Sequence, residues 1–321
     1  MKYQVLYENF IDAVKNSIPR NKKVSAVLTD ILKIEKEAVY RRLRMEVPFT
    51  FTEIANVAQH LDISMDDMID NNVSKNRPLY LKFIDYTDPM ELGEVILDNL
   101  LTLVKQLKSA SDSEISFSCS TLPPLLYLNY EQITRFYLFK WTYMYGNAAA
   151  GKRFDEMEIS EHLNQIRQEI VSESHYIRTT NYIADSMLFC SLVHDIQYFL
   201  SIHLISEQEV RSLKREIAQL IDDTENLAAH GHYPDTNQVV NFYVSNLNFE
   251  TSYICAETPD MHISMMKAFI LNVISSQDDL TFQRIKNWLQ SLKRVSTLVS
   301  QSGEQQRILY FAQQREMVNA L

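Results

Sequence analysis

The chain has 321 residues, of which 46% are hydrophobic and 22% are charged, and this length and composition are typical of about two globular domains. Only five glycines occur and no GxGxxG or GxxxxGK[ST] pattern is present, which excludes nucleotide-dependent catalysis through a glycine-rich phosphate loop. The three cysteines form no CxxC pair, the N-terminus has no apolar signal core, and no run of about 18 apolar residues exists. We therefore expect a cytoplasmic protein without a disulfide framework or a membrane span.

Charge is distributed unevenly along the chain. The net charge is −10, yet residues 20–44 contain eight Lys or Arg side chains against three acidic ones. Residues 73–321 carry 21 basic and 30 acidic side chains, so the larger part of the chain is acidic. A single basic segment in an acidic protein indicates a local nucleic-acid contact and excludes non-specific affinity of the whole surface.

The first 70 residues are predicted to form five helices. Apolar residues recur at helical spacing in the first helix, which Pro19 ends, and again at 24–32 and 36–44. Two capping boxes open the last two helices, Thr50-x-x-Glu53 and Ser64-x-x-Asp67. In the third helix Val39 and Leu43 form a thin apolar seam, so the cationic side chains lie on the opposite face.

This order of helices resembles a known family. The short turn, the basic third helix and the closing segment FTEIANVAQHLDISMDDMI look like the phage-repressor type (Xre/Cro-like) helix-turn-helix over about residues 5–70. The resemblance implies that helix 36–44 enters the major groove and that the start of the preceding helix touches backbone phosphate. The DNA-binding residues predicted on this basis are Lys22, Lys23, Lys36, Glu37, Tyr40, Arg41 and Arg44.

The sequence departs from the family pattern at two kinds of position. Lys33 and Met45 stand where glycines often flank the third helix, which predicts a left-handed conformation at a non-glycine residue. Lys36 and Glu37 replace the polar amides that read adenine in well-known members. The resemblance therefore predicts a fold and a groove but no base sequence.

Residues 71–90 are predicted to be a linker and residues 91–321 a larger, mostly helical domain. Helices are expected at 91–109, 159–172, 181–204, 206–229, 281–299 and 304–320. One strand is expected at 114–120, and a small antiparallel sheet at 239–244 and 249–255, while 262–274 fits either a strand or a helix. The predicted fold class is thus mainly α, with a few short β-strands.

Two segments of this region allow more than one interpretation. Residues 122–145 are dense with aromatic side chains, which fits the wall of a ligand pocket or a central buried helix. The broad apolar stripe of the 206–229 helix fits either the domain core or the surface of a partner protomer.

The eight histidines raise the possibility of a metal site, and the residues concerned are His194, His203, His230 and His232. Helical i, i+4 pairs and CxxC spacing, which mark many zinc sites, are both missing around them. No GxSxG or HExxH pattern occurs, and no cysteine has the basic neighbourhood of a nucleophile. We expect neither catalytic activity nor a cofactor or metal.

Together these patterns predict a sequence-specific transcriptional regulator that binds double-stranded DNA. We expect a homodimer, because single helix-turn-helix units bind weakly and two half-sites are the usual solution. The region after residue 91 is then expected to dimerise or to sense an unidentified small-molecule or peptide effector. A protein-interaction adaptor whose N-terminal domain does not bind DNA is the alternative, and a metal-dependent enzyme built around the histidines is a weaker one.

Overall fold

The computed structural model describes residues 2–18, 22–61, 63, 82–83, 89–145, 152–268 and 270–321. The chain divides into two compact units, Met1–Pro78 and Leu79–Leu321, called here the N-terminal and C-terminal units. The predicted fifth helix at 64–69 and most of the predicted linker 71–90 lie outside the described residues. The predicted domain boundaries at residues 70 and 91 therefore stay predictions.

Four helices are described in the N-terminal unit: α1 (Lys2–Ser17), α2 (Val24–Leu32), α3 (Lys36–Leu43) and α4 (Phe51–Leu61). Each contributes apolar residues at helical spacing to one buried cluster, because a short amphipathic helix is stable only when its apolar face is covered. The buried members of this cluster are Phe10, Val14, Ile18, Leu28, Val39, Phe49 and Val57.

The C-terminal unit is built around a mixed sheet. Its described strands are β1 (Lys82–Phe83), β2 (Glu114–Cys119), β3 (Thr179–Ala184), β4 (Val239–Ser245), β5 (Tyr253–Thr258), β6 (Met261–Lys267), β7 (Val273–Ser276) and β8 (Ser296–Leu298). They lie in the order β1-β7-β6-β5-β2-β3-β4-β8. The pairs β2–β3 and β3–β4 are parallel and all other pairs are antiparallel.

Helices connect and cover these strands. They are α5 (Pro89–Ser109), α6 (Pro124–Tyr127), α7 (Glu131–Tyr145), α8 (Glu161–Ser174), α9 (Cys190–Ser201), α10 (Glu207–His230), α11 (Asp279–Val295) and α12 (Glu304–Asn319). Helices α6, α7 and α8 connect β2 to β3, and α9 and α10 connect β3 to β4, as parallel strands require a crossover.

The sheet is buried on both faces. Tyr182 and Ala184 of β3 belong to the large core that contains the side chains of α5 and α7–α10. Ile183, between them, belongs to a second cluster formed with Phe282 and Leu289 of α11. Because successive strand residues point to opposite faces, α11 covers one face and the large helical layer covers the other.

The predicted fold class, mainly α with a few short strands, is wrong. Three parallel strands form the centre of the C-terminal unit, and β3 lies where the start of a helix at 181 was predicted. Tyr182, Ile183 and Ala184 of this strand are consecutive buried apolar residues, because both faces are covered, so their pattern does not alternate and merges with that of the following helix. Within the ambiguous segment 262–274, residues 262–267 belong to β6 and residues 273–274 to β7.

The structure bears on both open interpretations. Residues 124–127 and 131–145 form α6 and α7, in which Phe136, Phe139 and Trp141 are buried, while Tyr137 and Lys140 of the same segment line a cavity. The apolar stripe of α10 faces the core of its own unit, since Leu213, Ile217 and Leu220 are almost completely enclosed.

Candidate nucleic-acid interface

Helices α2 and α3 are joined by a three-residue turn, Lys33-Ile34-Glu35. Lys33 adopts the left-handed conformation with φ 54° and ψ 36°, and its backbone N–H donates to the Thr29 carbonyl at 2.9 Å. Glu35 is extended, and its carbonyl accepts the first hydrogen bond of α3 from the Val39 N–H at 3.1 Å. The turn therefore ends one helix with the Lys33 N–H bond and starts the next with the Glu35 carbonyl bond, as in helix-turn-helix units.

One face of α3 is fixed to the rest of the N-terminal unit. Val39 is fully enclosed, and Leu43 packs against the same cluster. The Arg42 guanidinium donates to both carboxylate oxygens of Glu53, at 2.8 and 3.1 Å, and to the Ala38 carbonyl at 3.1 Å. Arg42 thus belongs to the scaffold, where its charge is matched by a carboxylate of α4.

The same carboxylate caps α4. Glu53 accepts the Thr50 backbone N–H at 2.8 Å, while the Thr50 hydroxyl accepts the Glu53 N–H at 3.2 Å, which confirms the predicted capping box. Partial burial would raise the pKa of Glu53, but the bonds from Arg42 and Thr50 outweigh it and the pKa is lowered. The carboxylate is therefore held in its charged form.

The loop after α3 is held by a tyrosine of α1. The hydroxyl of Tyr7 accepts the Phe49 N–H at 2.9 Å and lies 3.2 Å from the Val47 carbonyl and 3.3 Å from the Arg42 carbonyl. Burial raises the pKa of Tyr7, so its hydroxyl stays protonated and able to donate. These three contacts fix the loop that follows α3 and so limit how far the helix can tilt.

The opposite side of α3 carries the predicted contact residues. Lys36, Glu37, Arg41 and Arg44 are exposed and Tyr40 is half-buried between them. The Lys36 ammonium and the Arg44 guanidinium each lie 5.9 Å from the centre of the Tyr40 ring, within reach of a cation–π interaction. We call these five residues the α3 face.

Tyr40 connects the α3 face to α2. The Ser25 hydroxyl donates to the Tyr40 hydroxyl at 3.3 Å. This bond, with the positive charges of Lys36 and then Lys23, lowers the pKa of Tyr40. The Ser25–Tyr40 bond places the start of α2 beside the α3 face.

The cations of this surface have weak internal partners. Glu46 lies 3.8 Å from both Arg41 and Arg44, beyond hydrogen-bond distance, and all three side chains are about half exposed or more. Lys22 and Lys23 are exposed at the N-terminus of α2, where the N-cap residue Lys23 forms no side-chain capping bond. The N-terminus of a helix beside two ammonium groups is a favourable place for a phosphate.

Sequence reasoning left Ser25 and Tyr7 out, although both shape this surface. Neither stands in a recognisable motif, and their roles depend on contacts to residues 15 to 42 positions away. The structure brings Lys36, Arg44 and the start of α2 together around Tyr40, and it leaves Lys22, Lys23, Glu37 and Arg41 exposed on or beside the same two helices.

The histidines do not form a comparable site. Nδ1 of His230 lies 2.7 Å from the Asn226 carbonyl, and Nδ1 of His232 lies 2.9 Å from the His230 carbonyl, which are local helix-end contacts. In the part of the chain that the structure describes, no group of three or more His, Cys, Asp and Glu side chains is placed to hold a metal ion. Within the same residues no helix has the length and apolar content needed to cross a bilayer.

A family model described as the BetR domain matches residues 9–102, from α1 into α5. No curated protein and no solved structure matches the chain. The match corrects the expected resemblance to the Xre/Cro-like phage repressors, because the BetR domain is a distinct family. A helix order and a basic helix are shared by several kinds of DNA-binding protein, so they do not separate one family from another. In general terms the match indicates a DNA-binding regulatory role.

Proposed function

We propose that this chain is a sequence-specific transcriptional regulator whose α3 enters the major groove of double-stranded DNA. The observation that carries the proposal is the α3 face, where Arg41 and Arg44 are exposed and, among the described residues, have no hydrogen-bonded carboxylate partner. Positive charge at one exposed helix face, on an otherwise acidic molecule, is what a groove-binding helix requires.

The residues of this surface divide by the contact that their chemistry favours. Arg41 and Arg44 are suited to the two acceptors of guanine, and Glu37 to the amino group of cytosine. Lys22 and Lys23, at the start of α2, are suited to backbone phosphate, which fixes position without reading sequence. Tyr40 holds the long side chains of Lys36 and Arg44 over its ring and so restricts their motion.

The C-terminal unit is proposed to serve dimerisation or signal sensing, without catalysis. A homodimer places two α3 helices on two half-sites, and α10 is not available as its interface because its apolar stripe is buried. Light scattering of the purified full chain tests this part, with twice the mass of the 37.5 kDa chain as the expected result.

DNA binding is tested by titrating random duplex DNA at several salt concentrations. The parent chain is expected to bind in about the micromolar range at physiological salt, with affinity falling as salt rises. Arg41→Ala with Arg44→Ala is expected to lower affinity by at least about tenfold, since two charged contacts are lost. Circular dichroism should show unchanged helicity, because neither side chain is buried.

The matched control is Arg211→Ala with Arg294→Ala, which removes the same charge from exposed positions of the C-terminal unit. This variant should bind DNA like the parent. If the Arg41/Arg44 variant also binds like the parent, α3 does not contact DNA, and the protein-interaction adaptor becomes the better hypothesis. Selection of bound sequences from a random duplex pool then gives the operator and its half-site spacing.

A further inference from the structure

A cavity of about 350 Å³ lies in the C-terminal unit at the end of β2. Ser120 and Thr121 follow β2, Ser252 precedes β5, and Lys267 ends β6, so three strand ends meet at this edge of the sheet. Helices α7 and α9 complete the wall with Lys140 and Asp195. In sheets with parallel strands, ligands commonly bind in the crevice outside the carboxyl ends of those strands.

Two ammonium groups, of Lys140 and Lys267, and two carboxylates, of Asp195 and the exposed Glu250, line this cavity. Lys140 forms an ion pair with Asp195. The Lys267 ammonium donates to the Thr121 hydroxyl at 2.8 Å, and among the described residues no carboxylate lies within ion-pair distance of it. Burial, and next the charge of Lys140, lower the pKa of Lys267 to about 8. An enclosed ammonium with only a neutral acceptor is costly unless an anion joins it.

Neutral hydrogen-bonding groups lie beside this ammonium. The hydroxyls of Ser120 and Ser252 are 3.0 Å apart, and the Ser120 backbone N–H donates to the Ser252 hydroxyl at 3.1 Å. These side chains belong to the same cavity wall as Lys267. The Lys267 ammonium, which has no carboxylate within ion-pair distance among the described residues and lies next to hydroxyl groups, fits a single carboxylate or phosphate group.

A smaller apolar pocket of about 50 Å³ continues from the cavity. It shares Thr121, Ser252, Lys267 and Ile270 with the cavity, and its deeper wall contains Leu122 and Ile254. A polar opening followed by an apolar end is the usual construction of a small-molecule site. Its size allows only a short apolar group.

We propose that this cavity binds a small organic anion, with its carboxylate or phosphate group at Lys267 and a short apolar tail in the adjoining pocket. The inference rests on the sensing part of the proposed function and gives it a site and a ligand class. It makes no use of the α3 face, so binding is measured without DNA and its outcome is separate from that of the DNA experiment.

The test is isothermal titration of the full chain with butyrate, butyl phosphate, inorganic phosphate and butanol. We expect saturable binding of one molecule per chain for butyrate or butyl phosphate, and the tighter of the two identifies the head group. Butanol lacks the charge and should not bind. Inorganic phosphate lacks the tail and should bind at least about tenfold more weakly than butyl phosphate. Equal affinity of the two phosphates would overturn the assignment of the apolar pocket.

Lys267→Met keeps most of the side-chain volume and removes the charge. It should lower the affinity for the bound anion by at least about tenfold, whereas Lys105→Met, at an exposed position of α5, should not. Lys267→Met should also raise the Tm of the ligand-free C-terminal unit by about 2 °C, because an enclosed unpaired charge is removed. A lower Tm with unchanged anion affinity, or no saturable binding of butyrate or butyl phosphate to the parent, overturns the proposal.

Discussion

Arg41 and Arg42 are neighbours in sequence and differ completely in their surroundings. The Arg41 side chain is about half exposed and its nearest carboxylate is 3.8 Å away. The Arg42 side chain is 16% exposed and forms two short bonds with Glu53. Since α3 turns by about 100° per residue, adjacent positions face solvent and scaffold respectively. A substitution of Arg41 is therefore expected to change DNA affinity, and a substitution of Arg42 is expected to change stability.

Arg42→Gln is expected to lower the free energy of unfolding of the N-terminal unit by about 2 kcal/mol, because Glu53 loses a charged partner in a partly buried place. Arg41→Gln should change it by less than about 0.5 kcal/mol, as exposed substitutions do. Urea denaturation followed by circular dichroism measures both. Equal effects of the two substitutions would mean that the Arg42–Glu53 pair does not stabilise the fold.

The same pair predicts a dependence of stability on pH. The pKa of Glu53 is lowered in the folded chain from its ordinary value of 4.5, so its contribution is fully present above that value and is lost as pH falls through the folded pKa. The N-terminal unit should therefore lose stability on acidification below pH 4.5. Glu53→Gln should flatten this part of the curve of unfolding free energy against pH. A curve identical to that of the parent would rule out Glu53 as the titrating group.

Met45 has a left-handed backbone, with φ 61°, directly after α3. Because its side chain is exposed, Met45→Gly should stabilise the N-terminal unit relative to Met45→Ala by about 1 kcal/mol. The alanine variant has the same backbone strain and serves as the control. Thermal unfolding of the two variants gives the comparison, and a less stable glycine variant would contradict the argument from backbone conformation.

At the scale of the helix, α2 and α3 are proposed to make different contributions to DNA binding. Lys22→Gln with Lys23→Gln should reduce the slope of log affinity against log salt by about 2, because two phosphate contacts are lost, and should affect all sequences alike. Arg41→Gln should instead reduce the preference for the selected operator over random DNA. Fluorescence anisotropy at several salt concentrations measures both. An unchanged slope for the lysine variant would remove α2 from the interface.

Helices and strands were not equally predictable from the sequence. The helices α2, α3 and α10 each have one apolar stripe, and their predicted bounds lie within a few residues of those observed. Strand β3 was missed because Tyr182, Ile183 and Ala184 are all buried, on alternating faces. Strand β8 was missed because it follows α11 without a break. Neither a strand covered on both faces nor a three-residue strand shows the alternation of apolar and polar residues that identifies a strand in a sequence.

The site residues show the same contrast. The α3 face is local in sequence, so a helical period was enough to assemble it. The cavity in the C-terminal unit joins residues from positions 120 to 270, and only the fold brings them together. One signal existed in Lys140, a charged residue within the aromatic segment that forms buried α7. A lysine in such a helix needs a partner, but the pattern alone does not name Asp195.

At the scale of the whole molecule, each unit has its own hydrophobic core. We therefore expect two unfolding transitions in differential scanning calorimetry of the full chain. Ile217→Val, in the core of the C-terminal unit, should lower one Tm by about 2–4 °C, and Arg42→Gln should lower only the other. A single transition shifted by both substitutions would show that the units unfold together.

The two outermost strands of the described sheet, β1 and β8, have two and three residues. A strand of that length presents very few free backbone groups to a neighbouring molecule. Natural sheets with short edges are protected against edge-to-edge aggregation. Self-association of the C-terminal unit by joining sheets into a continuous ribbon is therefore disfavoured, and assembly of two copies has to use side-chain surfaces.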